Sequence, residues 1–364
     1  MALDEKIKEI EEEIQNTSYN KATQHHIGKL KAKLANLKEE SIKRASGKGS
    51  GLGFGVKKSG DATISLVGFP SVGKSTLLNK LTDANSKVAD YEFTTLNVVP
   101  GVMNYKGTKI QILDIPGVIS GAASGKGRGK EIMSIVRTSE LILILLDIKK
   151  TEQLDAILTE LYDVGIRINE SPPNIRIRKT SRGGVTVTSV KKLKNIDRKT
   201  IMEILNVNGI HNADVTLRED ATIERFIDAT MTNRVYIPGV IAVNKMDLVD
   251  RKKFVGILKN IPNPIEISAG SSINLDKLRD EIFKKLNLIR IYMRPQGGKP
   301  DYGEPLILEK DSTIEDACKK IHRRFLKKFR YAFVWGKSAK FDGQRVGLSH
   351  RLKDEDALTI ITER

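Results

Sequence analysis

The sequence predicts an α/β fold. A mostly parallel sheet forms the central domain, with a helical hairpin before it, a small α+β domain inserted into it and a β-grasp domain after it. Three observations predict this. Apolar runs of strand length alternate with helical stretches through residues 61–166 and 237–290. The chemistry-bearing motifs fall at the carboxyl ends of those runs, where open parallel sheets bind ligands. Residues 167–236 break the alternation and carry too much patterned sequence to be a loop.

Residues 1–46 read as the hairpin. Ile7, Ile10 and Ile14 recur at helical spacing, as do Ile27, Leu30, Leu34 and Leu37, with Asn16-Thr17-Ser18-Tyr19-Asn20 as the turn. One narrow apolar stripe per helix suits two helices packed on each other, and an acidic first helix would attract a basic second one. Those long helices and the acidic first one argue against a DNA-reading helix-turn-helix. Residues 47–60 hold six glycines and read as a linker. In the central domain, Ala62 to Val67 is a strand and Leu141 to Leu146 an unbroken aliphatic one, far too short to cross a bilayer. Thr151 to Val164 is a helix. The insert, 167–236, contains Pro172-Pro173, an alternating stretch from Gly184 to Val190 and a helical stretch near Thr200–Leu205. The last domain, 291–364, opens near Ile291. Leu306-Ile307-Leu308 is a strand, and Ser312-Thr313-Ile314-Glu315 a capping box that starts a helix running to about Phe329. Tyr331–Trp335 and Ala357–Ile361 are later strands, an order that suits a β-grasp. Trp335 and Cys318 are expected in its core.

Between the first strand and Thr76-Leu77-Leu78-Asn79-Lys80-Leu81 lies Gly68-Phe69-Pro70-Ser71-Val72-Gly73-Lys74-Ser75-Thr76. This fits the phosphate-binding loop G-x-x-x-x-G-K-[ST] in its strand–helix context. Its glycines let backbone N–H groups face phosphate oxygens at a helix N-terminus. Lys74 would reach the β- and γ-phosphates and the Ser75 hydroxyl would ligate Mg²⁺. A strand from Ile110 ends in Asp114-Ile115-Pro116-Gly117, where Asp114 would hold Mg²⁺ through a water and the Gly117 N–H would sense the γ-phosphate. In Tyr91-Glu92-Phe93-Thr94-Thr95-Leu96, Thr95 is chosen as the switch threonine that ligates Mg²⁺ only while the γ-phosphate is present. Lys74, Thr95 and Gly117 are thus the candidate catalytic residues. Val118 follows them where a glutamine would orient water, so slow intrinsic hydrolysis is expected. A potassium ion, a group in trans, or Lys126 or Arg128 in the basic loop 121–130 could compensate.

After the apolar run Val235 to Val243 comes Asn244-Lys245-Met246-Asp247, the guanine-reading pattern N-K-x-D. The Asp247 carboxylate can accept from guanine N1–H and its exocyclic amine, whereas adenine would leave it unpaired. Asn244 would hold loops together, the Lys245 stem would cover the base, and Ser268-Ala269-Gly270 would offer a backbone donor to guanine O6. The set implies a GTP-hydrolysing switch. The alternative is a GTP-gated RNA-binding or scaffold protein in which hydrolysis is incidental, and Val118 motivates it.

The chain of 364 residues is 39% hydrophobic and 29% charged, with net charge +17, which favours a polyanionic partner. Arg176, Arg178, Lys179, Arg182, Lys191, Lys192, Lys194, Arg198 and Lys199 crowd one stretch. Lys319, Lys320, Arg323, Arg324, Lys327, Lys328 and Arg330 form another. Aromatic residues make up 5%, which favours RNA backbone recognition over a base-stacking platform. A single cysteine excludes an internal disulfide and suits the cytoplasm. No signal peptide or membrane association is expected, and a monomer is.

The segments at 68–76, 91–96 and Gly125-Lys126-Gly127-Arg128-Gly129 resemble the Obg-related GTPases. His211-Asn212-Ala213-Asp214-Val215-Thr216-Leu217-Arg218, Asn233-Arg234-Val235-Tyr236-Ile237-Pro238, Tyr331-Ala332-Phe333-Val334-Trp335-Gly336 and Asn20-Lys21-Ala22-Thr23-Gln24-His25-His26 narrow the resemblance to the developmentally regulated GTP-binding proteins, in a lysine-rich form like archaeal members. The resemblance implies a ribosomal-protein-like insert, a TGS domain at the C-terminus, association with the ribosome or its RNA in translation, and a regulatory protein partner.

Overall fold

The computed structural model describes residues 3–45, 60–82, 99–115, 135–249, 256 and 258–363. These group into two compact units, one with the N-terminal hairpin and residues 152–237, the other with the central sheet and the C-terminal domain. The Gly-rich stretch 47–59, the threonines at 94–95 and residues 116–134 lie outside the described residues.

The hairpin is α1 (Leu3–Asn16) and α2 (Gln24–Ala45). Asn20 starts the second helix by accepting, at its side-chain oxygen, the N–H groups of Ala22 and Thr23 at 2.9 and 3.0 Å. The expected charge attraction is present in Lys38 on Glu11 at 2.8 Å, and His26 Nε2 makes a hydrogen bond with Glu13 at 3.0 Å. The apolar stripes are met in part: the two helices pack on each other and Ile27 and Leu30 of α2 are buried, whereas no residue of α1 is. Small residues of α2 pack on the insert, as described below.

The central domain begins with β1 (Ala62–Val67), α3 (Lys74–Leu81), β2 (Val99–Tyr105), β3 (Thr108–Asp114) and β4 (Leu141–Asp147). Leu141 to Leu146 are fully buried, as an aliphatic strand covered on both faces must be. The chain then enters the other unit through α4 (Gln153–Asp163) and β5 (Ile166–Ile168). There β6 (Ile175–Lys179), β7 (Val185–Ser189), α5 (Arg198–Val207), β8 (Ala213–Leu217) and α6 (Ile223–Thr230) form an α+β layer, and β9 (Val235–Ile237) returns beside β5. The sheet order is β6-β8-β7. Ile201, Ile204, Leu205 and Phe226 of the two helices pack on Val215 and Leu217. The opposite face keeps Arg176, Arg178, Thr186, Thr188 and Asp214 exposed.

Ala32 and Ala35 of α2 join that apolar core. Gly28 permits the approach: a Cβ there would lie 2.6 Å from the Thr200 methyl on α5. Small residues thus turn the second helix of the hairpin into a structural part of the insert. Beneath them Arg167, 2% exposed, donates to Asp228 at 2.6 and 2.8 Å, and Arg234 donates to the same carboxylate at 2.8 Å. The Tyr162 ring covers the Arg167 guanidinium at 3.4 Å.

Back in the sheet, β10 (Gly239–Asn244) and β11 (Ile265–Glu266) complete the order β11-β10-β4-β1-β3-β2, parallel except for β2, with α7 (Leu275–Lys285) after it. The C-terminal domain follows: β12 (Leu288–Met293), β13 (Leu306–Glu309), α8 (Ile314–Ile321), α9 (Arg323–Lys327), β14 (Phe329–Trp335), β15 (Gln344–Val346) and β16 (Asp356–Thr362). Its sheet runs β13-β12-β16-β14-β15, and Ile314, Ala317 and Cys318 of α8 pack against Ala332, Val334 and Leu358.

Three expectations shift here. The capping box is one residue later, with Thr313 as N-cap and Asp316 as its reciprocal partner, because the Ser312 N–H is already held in a turn by the Glu309 carbonyl. The helix stops at Ile321, since His322 is extended; its Nδ1 then accepts from the Arg324 N–H and opens the short α9. Trp335 is not in the core. Alternation along β14 sends Ala332 and Val334 to the helix side, leaving Trp335 half-buried on the other face under Arg294.

Replacing Asp228 by Asn would leave two buried guanidiniums without their counter-charge. The expected loss is about 3–5 kcal/mol of stability, read from the denaturant midpoint of the variant.

Candidate functional site

The parallel register brings every described motif to one edge of the sheet. The phosphate loop follows β1, Asp114 ends β3, Asp147 ends β4, Asn244 ends β10 and Ser268 lies just past β11. Asp114 pairs in register with Leu66, two residues before Gly68. The loop turns through Ser71 and Gly73, both with positive φ, into the first turn of α3. A Cβ on Gly73 would meet the Asn244 side-chain nitrogen at 2.5 Å, so the loop needs glycine there for space as well as conformation.

Lys74 folds back over the loop, donating to the carbonyls of Gly68 and Phe69 at 2.9 and 3.1 Å. Burial pulls its ammonium below the ordinary lysine value, opposed by the Asp114 charge. Burial likewise lifts the Asp114 carboxyl above the ordinary range, opposed by Lys74 and the Ser75 hydroxyl. Ser75 Oγ donates to Asp114 Oδ2 at 3.3 Å, while Asp114 Oδ1 is buried with no hydrogen-bond partner among the described residues. A hydroxyl beside a carboxylate with a buried, orphaned oxygen is a hard oxygen donor set, and it fits Mg²⁺.

Asn244, 2% exposed, joins the loops. Its Nδ2 donates to the Val72 carbonyl at 2.8 Å, and its Oδ1 accepts the Ala269 N–H at 2.9 Å. One carboxamide therefore ties the phosphate loop to the 268–270 loop. Lys245, in a left-handed conformation, donates its ammonium to the Ser71 carbonyl at 2.8 Å and pairs with Asp147 at 2.7 Å. With its head held at that end, the stem is free to act as a flat apolar cover. Asp247 is exposed and makes no hydrogen bond or ion pair with a described residue. Ala269 has committed its N–H to Asn244, so within 268–270 the Gly270 N–H is the one without a described partner. Asp147 was not singled out from the sequence. Its place at the end of the aliphatic run, on the strand between β1 and β10, is the signal that could have found it. Thr95, Gly117 and Val118 lie outside the described residues.

In the insert, all nine cations of the basic stretch from Arg176 to Lys199 are exposed, and none pairs with a described carboxylate. Among the described residues no helix is long and apolar enough to cross a membrane.

Known proteins share this architecture in sequence. Residues 63–179 match the family described as a 50S ribosome-binding GTPase, residues 182–288 match the C-terminal region of that domain, and residues 289–362 match the TGS domain. The chain is 54% identical to an uncharacterized GTP-binding protein of Methanocaldococcus jannaschii, covering 100% of this chain and 94% of that one. It is 49% identical to the developmentally regulated G-protein 3 of Arabidopsis thaliana and 48% identical to the developmentally regulated GTP-binding protein 1 of Xenopus laevis, each over 98% of both chains.

Truncating Asn244 to Ala would leave the Val72 carbonyl and Ala269 N–H unpaired next to a small void. We expect about 1–3 kcal/mol of destabilisation by chemical denaturation, together with weakened binding of both GTP and GDP by calorimetry.

Proposed function

The chain belongs to the developmentally regulated GTP-binding protein family of GTPases, and we propose that it is a Mg²⁺-dependent GTP switch acting on the ribosome or its RNA in translation. The observation that carries the nucleotide reading is the Asn244 bridge. It sets the Asp247 carboxylate, which pairs with no described residue, on a loop fixed to the phosphate loop, so that base and phosphates are gripped as one rigid pattern. In this reading residues 68–76 cradle the phosphates and Lys74 exchanges its two loop carbonyls for phosphate oxygens. Asp247 accepts from the guanine edge, Lys245 covers the ring, and the 268–270 loop donates to O6. Ser75 would ligate the metal, Asp114 would hold it through a water, and Thr95 would join them as a ligand in the GTP state. Bound Mg²⁺ would supply positive charge against the phosphate oxygens. Gly117 reports the γ-phosphate. Val118 cannot orient water by hydrogen bonding, so the intrinsic rate is slow and rises when the ribosome, a protein partner or potassium supplies the missing positioning.

The ribosomal reading is supported by the net charge of +17 and by the exposed cations of the insert, none of which pairs with a described carboxylate, a surface that attracts RNA phosphates without selecting a base sequence. It is also supported by the match to a family described as ribosome-binding. A monomer working in the cytoplasm fits this reading.

Two measurements test it. Asp247→Asn should lower GTP affinity about 100-fold, because the substitution replaces an acceptor facing two guanine donors; unchanged affinity refutes the base site. Co-sedimentation with purified ribosomes should be strong with a non-hydrolysable GTP analogue and weak with GDP, and should fall steeply between about 50 and 200 mM salt. Equal binding in both nucleotide states, with no stimulation of hydrolysis, would instead favour an RNA-binding scaffold with incidental hydrolysis.

A further inference from the structure

The unit that contains the hairpin and the insert holds a cavity of about 370 Å³. Three helices give it an apolar wall: Ile14 of α1, Leu34 and Ala35 of α2, and Ile227 of α6. Its most deeply buried lining groups are Arg167, Asp228 and Arg234, whose side chains are 2, 5 and 9% exposed. Nearer to solvent, Lys31 pairs with Glu224, and Lys38 pairs with Asp163 at 2.9 Å. Each of those lysines thus has a carboxylate of its own.

The buried group is not balanced in the same way, because two guanidiniums share the one Asp228 carboxylate. Arg167 is fully engaged. Its Nε and Nη2 donate to Asp228, its Nη1 donates to the carbonyls of Tyr162 and Ile166 at 2.8 and 3.3 Å, and the Tyr162 ring covers its face. Arg234 is engaged only in part. It donates from Nε to Asp228 and from Nη1 to the Asn233 side chain at 3.0 Å. A guanidinium has five N–H donors, so three of them are left without a described partner. Burial and the Arg234 charge hold nearby Arg137 below the ordinary arginine value, opposed by Glu39, so the positive potential reaches beyond Arg234 itself. A buried cation with open donors beside apolar carbon gains most from an anion that brings its own apolar surface.

We propose that this cavity binds a small organic acid, its carboxylate on Arg234 and its apolar body against Ile14, Leu34 and Ile227. Charge complementarity selects a single negative charge, since the lining groups comprise four cations and three carboxylates. Two carboxylate oxygens match the planar fork of an arginine. The aliphatic wall selects hydrocarbon, which an inorganic anion lacks, and the volume lies within the range of small-molecule pockets. Occupancy would also cover Ile14, giving α1, which has no buried residue, an apolar anchor on the rest of its unit. The cavity shares no residue with the nucleotide site and does not depend on the GTP reading.

The full-length protein, labelled at its isoleucine methyls for NMR, is titrated with octanoate and with naphthoate, a chain and a ring that carry the same head group. Octanol, naphthol and acetate are the controls, each lacking one half of the ligand. Ile14→Val and Ile227→Val assign the two reporter signals. The expected result is a saturable shift of these methyls with at least one acid, and the acid that binds tells whether the body is a chain or a ring. Acetate should shift neither signal, and the matching alcohol should bind about tenfold more weakly. Arg234→Met keeps the stem, removes the surplus charge and leaves Asp228 paired with Arg167. It should weaken the acid about tenfold and leave the alcohol unchanged. Ile14→Trp, on a helix with no buried residue to disturb, should fill the space and abolish binding of both. Both variants should keep GTP affinity. No saturable shift with either acid would overturn the proposal, as would equal affinity for acid and alcohol, or full acid affinity in either variant.

Discussion

The candidate nucleotide site depends on one carboxamide. A parallel sheet delivers its loops to the same edge, but it does not fix them to one another. Asn244 does so because its side chain has a donor at one tip and an acceptor at the other, and it is short enough to reach both Val72 and Ala269 from the end of β10. An aspartate at this position would turn an oxygen toward the Val72 carbonyl, and a glutamine would need room that the glycine contact at position 73 does not leave. In the proposed reading, the bridge is also why phosphate and base recognition would share one geometry.

Around that bridge the described site is electrostatically incomplete. Burial pushes Lys74 and Asp114 toward neutrality, one downward and one upward, and an Asp114 oxygen stands buried without a described partner. Such groups are costly in an isolated protein and gain their natural partners from a charged ligand and its metal. The lysine meanwhile rests on two carbonyls of its own loop, a holding position that phosphate oxygens can take over.

Much of this was legible in the sequence because it is local. The phosphate loop, the N-K-x-D run and the aliphatic Leu141–Leu146 strand each state their role within a few residues. What was not legible depends on side chains that meet across the fold. Gly28, Ala32 and Ala35 look like gaps in a helix stripe until α5 is placed against them. Trp335 reads as core because tryptophan is large and apolar; only the register of β14, set by Ala332 and Val334, turns it outward. Asp147 becomes part of the site only when β4 lies beside β10.

The buried Arg167–Asp228–Arg234 group has a consequence for heat. Near room temperature, stripping water from three ions opposes much of what their attraction returns. As temperature rises, water's hold on bare ions weakens while apolar burial levels off, so the balance moves in favour of the ionic group. The unit that contains it should therefore lose cohesion more slowly on warming than one held by hydrocarbon alone.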